Sequence, residues 1–256
     1  MDYDKTTDLI LKAAAYAGQA MLESGAETYR VEDTISRILT AYGGVSSDSF
    51  VTPTGITISC DDNNGRTQTV VKRIRKISVD LERISLINDL SRSINADGLS
   101  PEEFRLRLDD ILTRQRYTLQ LTLLAAAMIG SSSTLMNGGT VPESLGAGIA
   151  APLAYIAQKL ASTLGLNHFL QNSLGGTVAV LTGALLKTAG LLPEYSLLVI
   201  GTIMILVPGV TITNAIRDTF QGDYISGVAR AVEALVTASG IAFGAGIAFL
   251  LLGVMA

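Results

Sequence analysis

Apolar side chains recur with helical spacing in two segments near the start of the chain. In residues 6–24 they form one stripe, and Gly25 follows. In residues 27–42 the same spacing returns, and Gly43 follows. Apolar positions three and four apart lie on one face of a helix, and glycine is typical just after a last turn. The chain is therefore predicted to begin with two amphipathic helices.

The spacing of apolar residues then changes to two. Ile56, Ile58 and Cys60 alternate with polar residues, and a similar segment covers 67–71. Such alternation is typical of half-buried strands, so two or three short antiparallel strands are predicted. Helical spacing returns at 79–95, and it returns again after SPEE at 100–103, a capping box with proline at the first helical position.

Long uncharged apolar segments occupy the rest of the chain. About 20 apolar residues suffice for a helix to cross a bilayer. Five predicted spans follow, at residues 118–137, 144–164, 168–187, 194–213 and 227–253. In the fifth, Gly240 and Gly244 form a GxxxG motif, which permits close packing of helices in lipid.

Charge is divided unevenly along the chain. Residues 1–117 hold 15 of the 19 Lys+Arg and 18 of the 23 Asp+Glu, whereas residues 118–256 hold 4 and 5. This composition predicts a water-soluble domain at 1–117 and a membrane domain at 118–256. The predicted fold class is an α/β cytoplasmic domain, with helices and a small antiparallel sheet, followed by an all-α transmembrane bundle of about five helices.

Composition also excludes several kinds of chemistry. The net charge is -4 and basic residues are interspersed with acids, so no nucleic-acid partner is predicted. Cys60 is the only cysteine and His168 the only histidine, which excludes an intramolecular disulfide and a cysteine-rich metal site. No metal or cofactor is predicted. An enzyme in the 1–117 domain is the weakest hypothesis, because this domain lacks histidine and Cys60 has no evident base beside it.

A helix break and a group of polar residues follow one another within residues 197–223. Pro208 and Gly209 are expected to kink or interrupt the fourth span, and broken helices at membrane depth face protein or a water-lined cavity. If the helix resumes, Asn214, Arg217 and Asp218 share one face. This face is either a site for a small polar solute or a helix end with a solvated loop, and the spacing leaves both open. The predicted substrate-binding residues are Pro208, Gly209, Thr213, Asn214, Arg217, Asp218 and Glu233.

Two further groups of charged residues have alternative interpretations. Glu233 lies inside the fifth apolar segment, where an ionisable group indicates function; near the interface it would instead pair with Arg230. Together with Asp218 it is a candidate proton acceptor. Acidic and basic residues in the second helix are either a functional cluster or a solvated face with local ion pairs. The candidate gating residues in the cytoplasmic domain are Glu27, Arg30 and Glu32.

Three stretches resemble the threonine/serine exporter family: GAETYRVEDTISRIL at 25–39, FVTPTGITIS at 50–59 and LVPGVTITNAIRDTFQGDYISGVARAVEA at 206–234. The match is to the amino-terminal half of the family, which also occurs as a separate subunit of the YjjP type. The resemblance implies a two-component exporter, in which a small membrane subunit supplies the second half. It also implies a small-molecule substrate that bears a carboxylate, which is threonine or serine, or a dicarboxylate such as succinate.

Energy source and orientation complete the sequence-based expectations. The chain has no phosphate-binding GxxxxGK[ST] loop, so coupling to the proton gradient is expected rather than ATP hydrolysis. Arg114 and Arg116 precede the first span, which favours a cytoplasmic amino terminus. The resemblance to the exporter family implies the inner or plasma membrane of a bacterium or archaeon. The alternative is a membrane scaffold or ligand-sensing regulatory subunit of a transporter. The oligomeric state, including a homo-oligomer, is left open.

Overall fold

The computed structural model describes residues 3–43, 46–61, 66–114 and 117–255. Arg116, at the predicted domain boundary, lies outside these residues. In chain order the described elements are α1 (Tyr3–Glu23), α2 (Thr28–Ala41), β1 (Ser46–Thr52), β2 (Gly55–Asp61), β3 (Thr67–Arg73), α3 (Leu81–Asp97), α4 (Pro101–Thr113), α5 (Leu119–Met136), α6 (Val141–Thr163), α7 (His168–Thr188), α8 (Ser196–Ile203), α9 (Gly209–Phe220) and α10 (Tyr224–Met255).

The chain packs as two compact units, and neither is continuous in sequence. Unit 1 consists of Met1–Gln115 and Val210–Ala231, and unit 2 consists of Arg116–Gly209 and Val232–Ala256. Most of α9 and the first turns of α10 therefore pack with the amino-terminal elements, although about a hundred residues separate them along the chain.

Unit 1 has its hydrophobic core among α1 to α4 and one face of the sheet. Fully buried side chains come from each layer: Met21 on α1, Ile38 on α2, Ile58 on β2, Ile87 on α3 and Phe104 on α4. They lie on the apolar stripes that the helical spacing predicts, and their removal from water is the main favourable term in folding this unit.

The sheet is antiparallel with the strand order β1-β2-β3. On the central strand, Ile56, Ile58 and Cys60 are buried while the intervening residues are partly exposed. The predicted period of two is therefore confirmed. The predicted capping box is also confirmed: Ser100 accepts from the Glu103 N–H at 3.2 Å, and the Glu103 carboxylate accepts from the Ser100 N–H at 2.9 Å.

Unit 2 brings α7 and α10 into backbone contact at the predicted GxxxG motif. A Cβ added to Gly240 would lie 2.7 Å from the Phe169 carbonyl oxygen, and one added to Gly244 would overlap the Ser173 carbonyl. The Thr177 hydroxyl donates to the Gly244 carbonyl oxygen at 3.0 Å. Small residues at such a crossing let the backbones approach closely, which is how helices associate in lipid.

The predicted fold class, an α/β domain followed by an all-α bundle of about five transmembrane helices, is wrong. The described chain is helical for most of its length, and its sheet is confined to three strands between α2 and α3. Three helices in the described residues are long and apolar enough to cross a membrane: Leu119–Met136, His168–Thr188 and Tyr224–Gly253. The α6 helix has the length, but Gln158 and Lys159 lower its hydropathy. The division into a cytoplasmic and a transmembrane domain at residue 117 stays a prediction. The two compact units are defined by contacts within the chain, which do not show whether water or lipid surrounds a residue.

The fourth predicted span, 194–213, is replaced by two shorter helices. The eight-residue α8 ends at Ile203, and α9 begins at Gly209. Pro208, which has no backbone N–H to donate, stands between them, so the expected interruption is confirmed.

Candidate functional site: an ion-pair cluster at the start of α2

The turn between α1 and α2 leaves polar backbone groups available to other elements. Gly25 has φ +87°, a left-handed conformation that glycine adopts without steric cost. A Cβ at this position would also lie 3.1 Å from the Ser78 carbonyl oxygen. The carbonyl oxygens of Gly25 and Ala26 and the Thr28 N–H bind partners from α9 and α10.

The polar face of α9 supplies two of these partners. Asn214 donates from Nδ2 to the Gly25 carbonyl oxygen at 2.8 Å. Asp218 accepts from both the N–H and the hydroxyl of Thr28, at 3.3 and 3.0 Å. The α2 N-cap residue, Glu27, makes no side-chain cap bond, so Asp218 satisfies the helix end from a distant segment. A carboxylate is also favoured there by the positive end of the helix dipole.

A buried ion pair joins α9 to α10. The Arg230 Nε lies 2.9 Å from Asp218 Oδ2, and the exposed fractions of the two side chains are 3% and 0%. These two atoms lack hydrogen-bond alignment, so Coulomb attraction holds them together. Arg230 also donates from Nη2 to the Ala26 carbonyl oxygen at 2.6 Å. Burial raises the pKa of Asp218 from its ordinary value, although Arg230 and the bonds from Thr28 oppose this shift.

Glu27 connects this pair of helices to a second, more exposed set of charges. Its carboxylate accepts from Arg217 at 2.5 Å and from Arg30 at 3.3 Å. Glu27 itself is buried, whereas 55% of the Arg217 side chain is exposed. Burial opposes ionisation of Glu27, but its own N–H and the charges of Arg217 and Arg30 outweigh it, so its pKa is lowered. Because more than half of the Arg217 side chain is exposed, its guanidinium donors other than the one bound to Glu27 remain accessible to a ligand.

Replacing Glu27 with glutamine is expected to make the melting temperature fall less steeply as the pH is lowered into the acid range. A carboxyl whose pKa is lowered by folding adds stability above its ordinary pKa of 4.5, and that stability is lost as the pH falls through the lowered value. Thermal unfolding of the detergent-solubilised chain between pH 6 and about pH 3 measures this. Glutamine does not titrate, so the slope below pH 4.5 should be smaller in Glu27→Gln. If the melting temperature of Glu27→Gln fell with pH as steeply as that of the unchanged chain, the lowered pKa of Glu27 would be contradicted.

Glu32, the third candidate gating residue, lines a separate open groove in unit 1. It accepts from the Val51 N–H at 3.0 Å. Burial raises the pKa of Glu32, the nearby Asp223 raises it further, and the bond from Val51 opposes both. The groove has a volume of about 470 Å³. Its lining residues are Glu32, Phe50, Val51, Gln221, Gly222, Asp223, Tyr224 and Ile225.

The structure brings some of the predicted site residues together. Asn214, Arg217 and Asp218 share the face of α9 that contacts the start of α2, as the i, i+3, i+4 spacing predicts. They bind Gly25, Glu27 and Thr28, respectively. Pro208 and Gly209 lie at the break before α9, and Thr213 is exposed. Glu233 is exposed on α10 in unit 2. The substrate-binding and gating roles of all these residues stay predictions.

Sequence reasoning missed two members of the cluster. Thr28 was not singled out, and Arg230 was considered a partner for Glu233, whereas it pairs with Asp218. A signal for both was present: Thr28 lies in the 25–39 stretch and Arg230 in the 206–234 stretch that carry the family resemblance. The two stretches meet at this cluster.

Comparison with known proteins identifies relatives along nearly the whole chain. A family model described as putative threonine/serine exporter matches residues 12–252. A protein from Corynebacterium glutamicum named threonine/serine exporter is 26% identical over 245 residues, which cover 93% of this chain and 50% of the relative. A protein from Mycobacterium tuberculosis (strain ATCC 25618 / H37Rv) named probable threonine/serine exporter is 26% identical over 243 residues, which cover 94% of this chain and 45% of the relative.

The lengths of these proteins differ. This chain spans about half the length of the curated relatives that it matches. No solved structure matches the chain.

Proposed function

This chain belongs to the putative threonine/serine exporter family, and we propose that it is one part of a secondary exporter of small metabolites that carry a carboxylate. The family match over residues 12–252 carries this proposal. The three helices that are long and apolar enough to cross a membrane support it. An exporter family is not an enzyme class, so no catalysed reaction is part of the proposal.

The exporter is proposed to have two components. The support is the resemblance of the 25–39, 50–59 and 206–234 stretches to the amino-terminal half of the family, which also occurs as a separate subunit. A separate small membrane protein would supply the segment that corresponds to the other half. The complete transport pathway would then form only when both proteins are in the same membrane.

The proposed substrates are threonine and serine, or dicarboxylates such as succinate, and Arg217 is the proposed carboxylate-binding residue. About half of the Arg217 side chain is exposed, and one of its guanidinium nitrogens is bound to Glu27. The planar guanidinium can bind a carboxylate through two parallel hydrogen bonds. A ligand carboxylate would compete with Glu27 for Arg217, which links substrate binding to the start of α2.

Export is proposed to use the proton gradient, with Asp218 or Glu233 as the proton acceptor. The sequence contains no phosphate-binding GxxxxGK[ST] loop, which argues against ATP hydrolysis by this chain. Protonation of Asp218 would remove its charge attraction to Arg230, whereas the hydrogen bond from the Thr28 hydroxyl to Asp218 would remain. This change would loosen α10 from α9.

The proposed location is the cell membrane of a bacterium or archaeon, crossed several times, with the amino terminus in the cytoplasm. Three candidate spans support more than one crossing. Arg114 and Arg116 immediately precede α5, and basic residues beside a span favour the cytoplasmic side.

Efflux from preloaded cells tests the function. Cells loaded with labelled threonine, serine or succinate would express this chain alone, a candidate small membrane partner alone, or both. Efflux of at least one substrate is expected only with both proteins, and a protonophore should abolish it. Absence of efflux in every arm, with both proteins verified in the membrane, would contradict the exporter proposal and favour a regulatory subunit.

Arg217→Ala, measured in the same assay, is expected to abolish partner-dependent efflux without reducing the amount of protein in the membrane. Arg217→Lys keeps the charge but loses the planar fork, so an intermediate rate is expected. Arg107→Ala is the matched control, because Arg107 has 54% of its side chain exposed and pairs with Asp97 at 3.1 Å in the same unit. Full efflux with Arg217→Ala would remove Arg217 from the site.

A further inference from the structure

The open groove that Glu32 lines, which we call the Glu32 groove, carries negative charge. Of its eight described lining residues, Glu32 and Asp223 are carboxylates and none is basic. Its volume of about 470 Å³ lies within the range of small-molecule sites, which is about 300–1,000 Å³. All of these lining residues belong to unit 1. The groove is therefore large enough for a small organic molecule.

Backbone groups, and not basic side chains, hold the two carboxylates in place. Glu32 accepts from the Val51 N–H through Oε1 at 3.0 Å, and Asp223 accepts from the Ser226 N–H through Oδ1 at 3.1 Å. Among the described residues neither carboxylate has a basic partner, whereas the adjacent Asp33 pairs with an arginine. The second oxygen of each carboxylate is thus left for a ligand.

The two carboxylates also repel each other. Burial raises the pKa of Glu32, and the charge of Asp223 raises it further, although the bond from Val51 opposes both. A positive charge bound beside both groups would relieve this repulsion, because an opposite charge stabilises an ionised carboxylate. The groove therefore favours a cation over a neutral or anionic ligand.

The turn between α9 and α10 fixes Asp223 before a ligand binds. Gly222 adopts φ +89°, and the Asp223 N–H donates to the Asp218 carbonyl oxygen at 2.9 Å. The Asp223 carbonyl oxygen accepts from the Gly227 N–H at 3.0 Å. Asp223 thus belongs both to the end of α9 and to the start of α10. Such a preformed wall lowers the entropic cost of binding.

The other large side chains of the groove are apolar. Phe50, Tyr224 and Ile225 are 59%, 67% and 65% exposed. An aromatic ring attracts a cation that lies over its face, and it also packs against a carbon chain. A bare metal ion fits less well, because the described residues contain no group of three or more His, Cys, Asp or Glu that could hold one. Carboxylates beside aromatic rings instead favour an organic cation.

We propose that the Glu32 groove binds a small organic molecule that carries a protonated amine. The ammonium group would donate hydrogen bonds to Glu32 and Asp223. The carbon chain would lie against Phe50 and Tyr224. This inference depends neither on the exporter proposal nor on Arg217, because the groove has a separate set of side chains.

A tryptophan placed in the groove tests this proposal. The sequence contains no tryptophan, so the tryptophan emission of Tyr224→Trp reports on the groove alone. The detergent-solubilised full chain would be titrated with butylamine and 1,4-diaminobutane, and with neutral 1-butanol and anionic butyrate, at constant ionic strength. A saturable change in emission is expected with at least one amine and with neither control. No saturable change with either amine, or an equal change with 1-butanol, would overturn the proposal.

Conservative substitutions in the same background test the two carboxylates. Glu32→Gln keeps an oxygen for the Val51 N–H, and Asp223→Asn keeps one for the Ser226 N–H, so both should fold normally. Each is expected to weaken amine binding by about tenfold or more, because a bond to a charged group is lost. Asp48→Asn, on β1 outside the groove, is the control and should leave the affinity unchanged. Equal affinity in all three variants would overturn the proposal.

The unchanged chain gives a second readout that needs no substitution. An amine that binds the folded state should raise the melting temperature of the detergent-solubilised chain, relative to the same concentration of sodium chloride. No rise with either amine would contradict binding. Displacement of the amine by an equal or lower concentration of Mg²⁺ in the emission assay would assign the groove to an inorganic cation and overturn the proposal. Neither readout measures efflux.

Discussion

Arg230→Met is expected to lower the free energy of unfolding by about 3–5 kcal/mol, because it leaves the Asp218 carboxylate buried without its counter-charge. The exposed fractions of the two side chains are 3% and 0%, so solvent cannot replace the lost partner. The change also removes the bond from Arg230 to the Ala26 carbonyl oxygen. The loss should appear as a large fall in the melting temperature of the detergent-solubilised chain, measured by the fraction that stays monodisperse after heating.

Two further variants separate the buried pair from a general effect of losing an arginine. Asp218→Asn combined with Arg230→Met removes both charges, so it should be less destabilised than Arg230→Met alone. Arg107→Met removes one partner of an exposed ion pair and should change the melting temperature little. A double variant as unstable as Arg230→Met, or an Arg230→Met chain as stable as Arg107→Met, would show that the charge pair is not what holds these elements.

Gly244→Ala is expected to separate α7 from α10. The added methyl group would overlap the Ser173 carbonyl, and a backbone atom cannot move aside by rotating a side chain. The helices would have to move apart, which also weakens the bond from Thr177 to the Gly244 carbonyl oxygen. Overpacking of this kind lowers the free energy of unfolding by about 1–3 kcal/mol. We expect a value near the upper end, because the added methyl group meets backbone atoms.

Gly246→Ala provides a matched control on the same helix. No heavy atom lies within 4 Å of a Cβ added at Gly246. Alanine should therefore be tolerated there, and its higher helix propensity could even raise stability. Comparing the melting temperatures of the two variants in the same detergent tests the contact. Equal effects at Gly244 and Gly246 would contradict the close crossing of α7 and α10.

The buried ion pair also gives a physical meaning to the family resemblance. The 25–39 and 206–234 stretches are far apart along the chain, yet Thr28 from one and Asp218 and Arg230 from the other form a single network. The buried Asp218 carboxylate and Arg230 guanidinium neutralise each other's charge. Both also form hydrogen bonds with backbone groups between Ala26 and Thr28. The residue types in the two stretches are thus coupled by desolvation, because removing one leaves another buried without its partner.

Local pattern was sufficient wherever neighbouring residues decide structure. The period of two at Ile56, Ile58 and Cys60 identified the central strand, because alternate side chains of a strand point to opposite faces. The SPEE sequence identified the start of α4, and Pro208 identified the break before α9. The i, i+3, i+4 spacing correctly placed Asn214, Arg217 and Asp218 on one face, since this depends only on helix geometry.

About five spans were predicted from uncharged length, without the mean hydropathy of each helix. Gln158 and Lys159 fall within α6, and α8 ends after eight residues, before the proline. Of the five predicted spans, three are helices long and apolar enough to cross a membrane.

The sequence by itself determined the local elements, the polar face of α9 and the family, because each depends on residues a few positions apart or on a stretch of fixed pattern. Tertiary structure alone decided what that polar face meets. Asp218 was predicted on a face that could hold a small solute and Arg230 as an alternative partner of Glu233. In the fold they bind each other, and they also bind Thr28 and the Ala26 carbonyl. The partner of a buried charge is selected by the nearest group that can compensate its lost hydration, and the fold brings that group from about 190 residues away.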